Sequence, residues 1–388
     1  MESYGRQPLP TRSEKEIHMQ PDDKELPALR KAQQTLIDTL LTAGSEGGVL
    51  GFKPTTSLDE ALSRAGRQVH GVGIGLKVSG GKETPEWCVQ VYVVQKIKGE
   101  DLLRGVGALI PPEIYGVKTD VVESAPAFLL PAAALKRHRL PKRRVLNVEA
   151  SLGSEPCSVN KMSRQRPVRA GISAGRLGGR TGTIAAFCRT VGGPQNEILV
   201  LSNSHIFGHQ PGQLLQPGPM DSGSGADHFA DFERAAPLAL GGVAANSVDA
   251  AVGKLTTGVP IFEVCSIGHI NTTASATVSM DVMFHGRTSG QSVGSIKSVT
   301  YTSVVGLDPA NPSIKARFVD QIRIEKPSGV FATDGDSGSL LISTGISPKA
   351  VGLLFAAQTP DSTNPNQVPY GLANHIDVVL NKLNVTLL

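Results

Sequence analysis

Apolar residues recur at helical spacing early in the chain, where Leu29, Ala32, Leu36, Ile37, Leu40 and Leu41 line one side of a predicted helix and Gly44 supplies its stop. Ser57-Leu58-Asp59-Glu60 carries the capping-box pattern of a second helix, with Leu58, Ala61, Leu62 and Ala65 on one side. The period then changes. Val69–Val78, Cys88–Val94 and Lys118–Val122 are rich in β-branched residues and read as strands, with Pro111-Pro112 as a turn before the last. Together they predict a small α+β domain over residues 26–130. Its glycines, Gly71-Val72-Gly73-Ile74-Gly75, lack the G-x-G-x-x-G spacing and lead into no helical pattern, so they predict a glycine-rich strand and not a phosphate loop.

From Arg169 onward, short strand-like runs alternate with turn residues: Gly182–Arg189, Glu197–Leu201, Ala250–Leu255, Val278–Phe284, Gly294–Ser303, Ala316–Ile324, Ser339–Ser343 and Val351–Ala357. Such spacing fits a sandwich or barrel. Ile376, Val379, Leu380 and Leu383 return to helical spacing near the end. Composition agrees, since 43 glycines and 26 prolines against 4% aromatics in 388 residues favour turns and short strands. The chain is predicted to be mainly β.

Two stretches fall outside these patterns. Residues 1–25 mix charges and prolines without apolar periodicity and read as a disordered tail. Residues 131–168 read as a basic linker, in which six of the nine residues from Lys136 to Arg144 are Lys or Arg. A proteolytic processing site or a patch for an acidic surface are the sharper readings of that run, and the lack of interleaved aromatics argues against nucleic acid. The net charge of +4 selects no class of partner. No apolar run reaches the ~18–20 residues of a membrane span, and Met1–Gln20 has no signal-peptide core, so the expectation is a soluble, cytoplasmic protein. Cys88, Cys157, Cys188 and Cys265 form no C-x-x-C pair and read as free thiols in a reducing compartment. No metal or cofactor is called for.

Thr333-Asp334-Gly335-Asp336-Ser337-Gly338-Ser339 is the stretch with the most chemistry in it. A serine between glycines and after an acid can present its hydroxyl on a tight turn beside converging backbone N–H groups. Such a nucleophile needs a base, and the base needs a buried acid to fix its tautomer. His205 ends the apolar run of Leu199–Phe207, and Asp249 sits among small and apolar residues in Asn246–Val252. The order is His, Asp, Ser.

These motifs resemble the chymotrypsin-like (trypsin-like) serine protease family, in its bacterial intracellular branch and with an extra N-terminal domain. Gly182-Thr183-Ile184, Gln216-Pro217-Gly218 with Asp221, and Gly286-Arg287-Thr288-Ser289-Gly290 extend the likeness over residues 169–388. The resemblance implies a double β-barrel with a C-terminal helix, six strands to each barrel, with His205 and Asp249 from the first and Ser337 from the second. It implies a catalytic triad of His205, Asp249 and Ser337, with the N–H groups of Gly335 and Ser337 as oxyanion hole. Aligned through the nucleophile turn, Phe331 and Ala332 would floor the substrate pocket and Phe355, Ala356 and Ala357 wall it. With no acid on that floor, small or medium apolar residues are the expected preference.

Ser339 stands where the family has a second glycine, and Asp336 is the residue that in activated animal members pairs with a newly cut N-terminus. Two imitations are set aside. Gly290-Gln291-Ser292-Val293-Gly294 fits G-x-S-x-G, but Ile296–Val305 beyond it alternates like a strand and not a helix. Asp221-Ser222-Gly223-Ser224 lies too soon after His205 and reads as a surface turn, and His209 and His228 read as loop residues. The functional expectation is a serine endopeptidase acting on proteins or peptides, with residues 26–130 serving a regulatory protein partner. The alternatives are a protease-like binding module whose cleft is closed or pocket filled, and a protease that only cuts itself within residues 131–168.

Overall fold

The computed structural model describes residues 19–41, 69–96, 110–130, 157, 159–308, 311, 314–326, 329–358 and 368–388. The second predicted helix, Gly44 and the basic run at 136–144 lie outside the described residues. Met19, within the expected tail, bridges to Val278. At the other end of the expected linker, Lys161 O accepts from the Ser173 N–H at 2.9 Å, so residues 159–168 lie on the body built by the later strands.

The first helix is Leu26–Leu40, with a proline in its first turn where the missing N–H costs nothing. It buries Leu29, Ala32, Leu36, Ile37 and Leu40 against Val72, Ile74, Val89 and Val91 of a hairpin. That hairpin pairs Val69–Ser79 with Lys82–Val93, and Val117–Glu123 joins it in parallel. Its free edge does not face solvent. Gly71 and Val72 pair with Ser303 and Thr302 of the long strand Gly290–Gly306, so the N-terminal strands continue a twelve-stranded sheet. The glycine-rich strand is thereby explained, because a Cβ at Gly71 would lie 2.2 Å from the Tyr301 hydroxyl oxygen.

In that sheet Lys315–Glu325, Tyr370–His375, Ala350–Ala357, Leu340–Ser343, Asp281–Gly286 and Gly290–Gly306 are successive neighbours, and the last pairs back with the first. Six strands thus close into a barrel, as the resemblance implies. The other half is an eight-stranded sheet that holds Thr181–Thr183, Leu199–Ser202 and Ala251–Leu255 and takes Val385–Leu387 onto one edge. The helix Ile376–Leu383 buries Ile376, Val379 and Leu383 in the core of this half, as its spacing predicts. Mainly β structure, two sheet-built halves and a C-terminal helix are what the chain adopts. Among the described residues no helix is long and apolar enough to cross a membrane.

Arg323, 1% exposed, locks the N-terminal strands to the closed barrel. Its guanidinium lies 4.2 Å from the ring centre of Tyr92 and 3.5 Å from that of Tyr370, and it bonds Glu325 at 2.9 Å.

One expectation is overturned. Cys157 and Cys265 form a disulfide, with 5.3 Å between their Cα atoms. They are 108 residues apart, and the long-range return of residue 157 onto the Cys265 turn, where the Cys157 N–H donates to Ser266 Oγ at 2.9 Å, has no local sequence signature. The ground for expecting a reducing compartment goes with it. Cys88 and Cys188 are free and buried, and burial pushes both thiols up to about 12.

Candidate active site

Ser202 ends its strand, and the chain turns at Asn203 into the single helical turn Ser204–Phe207. This turn presents His205 toward Asp249, which leads into the neighbouring strand Ala251–Leu255. His205 Nδ1 and Asp249 Oδ2 are directly paired, with the carboxylate fully buried and the imidazole side chain 4% exposed. The carboxylate has further donors: Ser204 Oγ at 2.6 Å and the His205 N–H at 3.1 Å, both on Oδ1. Burial alone would push this carboxyl up; the adjacent imidazole and these hydrogen bonds outweigh it and hold Asp249 below the usual carboxylate range. The backbone of Asp249 is fixed from both halves of the molecule. Asn203 Nδ2 donates to its carbonyl at 2.7 Å, and its N–H donates to Asn374 Oδ1 at 3.0 Å. His205 Nε2 is buried and has no hydrogen-bond partner among the described residues.

The serine turn comes from the closed barrel and docks on the other half. Thr183 is the clasp. Its N–H donates to Ser337 O at 2.8 Å and its hydroxyl to Gly335 O at 2.9 Å. Gly182 lets the turn pack closely beside Ile206, since a Cβ there would lie 2.6 Å from Ser337 O and 2.8 Å from Ile206 Cγ1. Gly335 and Gly338 have φ of +97° and +90°, conformations that side chains oppose. At Gly338 space also forbids a side chain, as a Cβ would meet Ser202 Oγ at 2.2 Å and Thr183 O at 2.3 Å.

Within the turn, Asp336 accepts from the N–H groups of Thr288, Ser289 and Thr333 at 2.9–3.0 Å and from the Ser289 hydroxyl. Its carboxylate therefore takes donors from the Arg287–Gly290 loop as well as from its own turn. Burial, greater in effect than these bonds, pushes the Asp336 carboxyl up. Ser339 is accommodated, because its hydroxyl donates to Asp336 O at 2.7 Å. Asp221, from the turn that imitates the nucleophile, turns its side chain inward to a buried ion pair with Arg287, with Nε to Oδ2 at 2.7 Å. Ser222 and Ser224 are exposed, as expected of a surface turn. Ser292 lies within the strand Gly290–Gly306 and donates to Phe331 O, which removes the G-x-S-x-G alternative.

Gly335 N–H donates to a peptide carbonyl, Leu130 O, at 2.7 Å. Ser337 Oγ donates to Phe355 O at 2.9 Å and is fully buried. Phe331, Ala332 and Ala357 share one apolar cluster, and Phe355 and Ala356 line the adjoining one. His209 is exposed, and His228 pairs with Asp231 at 2.9 Å, away from this cluster. Sequence reasoning did not single out Thr183's clasp, Asn203 or Asn374. Asn203 is two residues before His205 and could have been suspected from position; Asn374 is reached only through strand pairing.

No protein-family model and no curated protein sequence matches the chain. Solved structures do. A Nocardiopsis protease is 19% identical, matching 57% of this chain and 98% of its own length with a TM-score of 0.41. A glutamic-acid-specific serine protease that uses a histidine triad in substrate binding is 16% identical over 57% of this chain and 100% of its own, at 0.40. Cellulomonas bogoriensis chymotrypsin is 18% identical over 57% and 98%, at 0.38.

Proposed function

We propose that the chain is a serine endopeptidase. Ser337 Oγ attacks the carbonyl of a bound peptide, His205 Nε2 takes the hydroxyl proton and returns it to the leaving amine, and water then releases the acyl group by the same path in reverse. Asp249 keeps the proton of the resting imidazole on Nδ1, which leaves Nε2 free to act as the base. The Gly335 and Ser337 N–H groups receive the oxyanion, an interaction worth about 3–4 kcal/mol of barrier for each donor. What supports this reading is a buried His205–Asp249 pair on the half of the molecule against which Thr183 holds the serine turn, together with a Gly335 N–H that donates to a peptide carbonyl.

Phe331, Ala332, Phe355, Ala356 and Ala357 offer the pocket only apolar surface, which supports cleavage after small to medium apolar residues. The test is to incubate a peptide library with the full chain and with Ser337→Ala, for long enough that slow turnover registers, and to sequence the new termini. Cuts after apolar residues made by the wild type alone are expected. Cuts after Arg or Lys would refute the pocket assignment, and equal cutting by both proteins would refute the nucleophile.

A further inference from the structure

Phe128–Leu129 pairs antiparallel with the pocket wall, Leu129 opposite Ala356 and Phe128 opposite Ala357. One residue on, the Leu130 N–H donates to Phe355 O at 3.4 Å, the same carbonyl that accepts from Ser337 Oγ. Leu130 O accepts from the Gly335 N–H. The Leu130 side chain, 2% exposed, shares its apolar cluster with Phe331, Ala332 and Ala357. A strand edge, an oxyanion donor and an apolar pocket are the three things that a peptide substrate would need here, and the chain's own residues hold all of them. The site is closed to solvent: Ser337 and Asp249 are 0% exposed and the His205 side chain 4%.

The approach to the cleft is anchored along its length. Ser124 N–H donates to Val93 O at 2.9 Å, and Ser124 O bonds His70 Nε2 at 2.7 Å. Tyr370 donates its hydroxyl to Ala125 O at 3.0 Å, and Gly306 donates its N–H to Ala127 O at 3.0 Å. Gly306 is bare where the Phe128 ring crosses it, for a Cβ there would lie 2.4 Å from the ring. The N-terminal sheet and the closed barrel together set the segment in place.

We infer that Phe128–Leu130 is an internal substrate mimic that blocks the cleft of the intact chain, and that Leu130 reports the side chain the pocket accepts, one of leucine size and apolarity. This rests on the reading of Ser337 as nucleophile and Gly335 as oxyanion donor. The bond on the C-terminal side of the mimic joins Leu130 to Pro131. A proline nitrogen carries no hydrogen and is closed in a ring, so it must leave as a hindered secondary amine past His205. The mimic therefore stays bound without being cut. Because it is tethered, it competes with an external peptide at a high effective concentration.

The test reads the rate at which a small fluorophosphonate labels Ser337 in the full chain, in Leu130→Ala and in Leu130→Asp, with thermal melting to establish that each is folded. Losing a buried leucine side chain from a competing ligand is expected to speed labelling by about tenfold or more, with Asp faster than Ala. A second measurement needs no variant. Hydrogen exchange of the wild type with and without saturating Ala-Phe-Leu-aldehyde is expected to show the amides of 128–130 losing protection while those of Val69–Val93 keep it. Equal, rapid labelling of all three proteins, or unchanged exchange at 128–130, would overturn the block and leave the protease reading standing. Complete Ser337-dependent cleavage after Leu130, seen by intact mass, would also overturn the block, by making the segment a substrate. No labelling of any folded protein would sink the protease reading and this inference with it.

Discussion

Asp249→Asn separates the chemistry of the buried carboxylate from its packing. The carboxylate takes Ser204 Oγ and the His205 N–H on Oδ1 and the His205 ring on Oδ2. Asparagine has the same shape and keeps an acceptor for the first two, so the turn at 203–207 should hold. The third contact inverts. An amide N–H2 facing Nδ1 makes that nitrogen the acceptor and moves the imidazole proton to Nε2, the atom that receives the serine proton in the proposed mechanism. Loss of the correct tautomer in a triad lowers turnover about 10⁴-fold, or about 5.4 kcal/mol at 1.36 kcal/mol per tenfold. The assay is the second-order rate of fluorophosphonate labelling, measured beside urea unfolding. A folded Asn variant that labels within tenfold of wild type would refute the assignment of Asp249 as the residue that orients His205.

Stability should track the same carboxylate. Its folded pKa lies below the ordinary 3.8, so it stabilises above that value and loses this contribution as pH falls through the folded pKa. The difference in urea midpoint between wild type and Asp249→Asn should therefore be widest at neutral pH and shrink below pH 3.8, and a difference that grows in acid would contradict the direction of the shift. Gly338→Ala should cost more than about 2 kcal/mol of stability and abolish labelling, because Thr183 O and Ser202 Oγ occupy the space its methyl would need; a variant with unchanged melting would refute that docking. Thiol titration of the denatured chain should count two cysteines before reduction and four after it. Under oxidising conditions Cys157→Ser should then destabilise by about 2–4 kcal/mol, and no change in its urea midpoint would mean the bridge does not constrain the fold.

Short-range chemistry was readable along the chain. The helical stripe at Leu29–Leu41, the glycine-rich strand at 71–75 and the C-terminal helix each announce themselves by local period, and each forms. His205 follows the end of an apolar strand, Asp249 is a carboxylate among small and apolar residues, and the two meet. What stayed hidden depends on register between distant segments, which no local pattern encodes. Gly71 and Val72 pairing with Ser303 and Thr302 joins the N-terminal strands to the barrel, and Asn374 reaches Asp249 only because its strand lies beside Ala350–Ala357. The Cys157–Cys265 bridge closes over 108 residues. Ala127-Phe128-Leu129-Leu130 carries no local mark of its place, since an apolar tetrapeptide has the same sequence whether it packs in a core or lies in a cleft.

The proposed chemistry requires that His205, Asp249 and Ser337 make one acyl-transfer site. Peptide mass mapping after prolonged fluorophosphonate exposure of the full chain, of Ser337→Ala and of His205→Ala tests it most directly. A single adduct on Ser337 in the wild type, absent from Ser337→Ala and strongly reduced in His205→Ala, is expected. An adduct on any other serine, or a Ser337 adduct formed equally fast without His205, would contradict it.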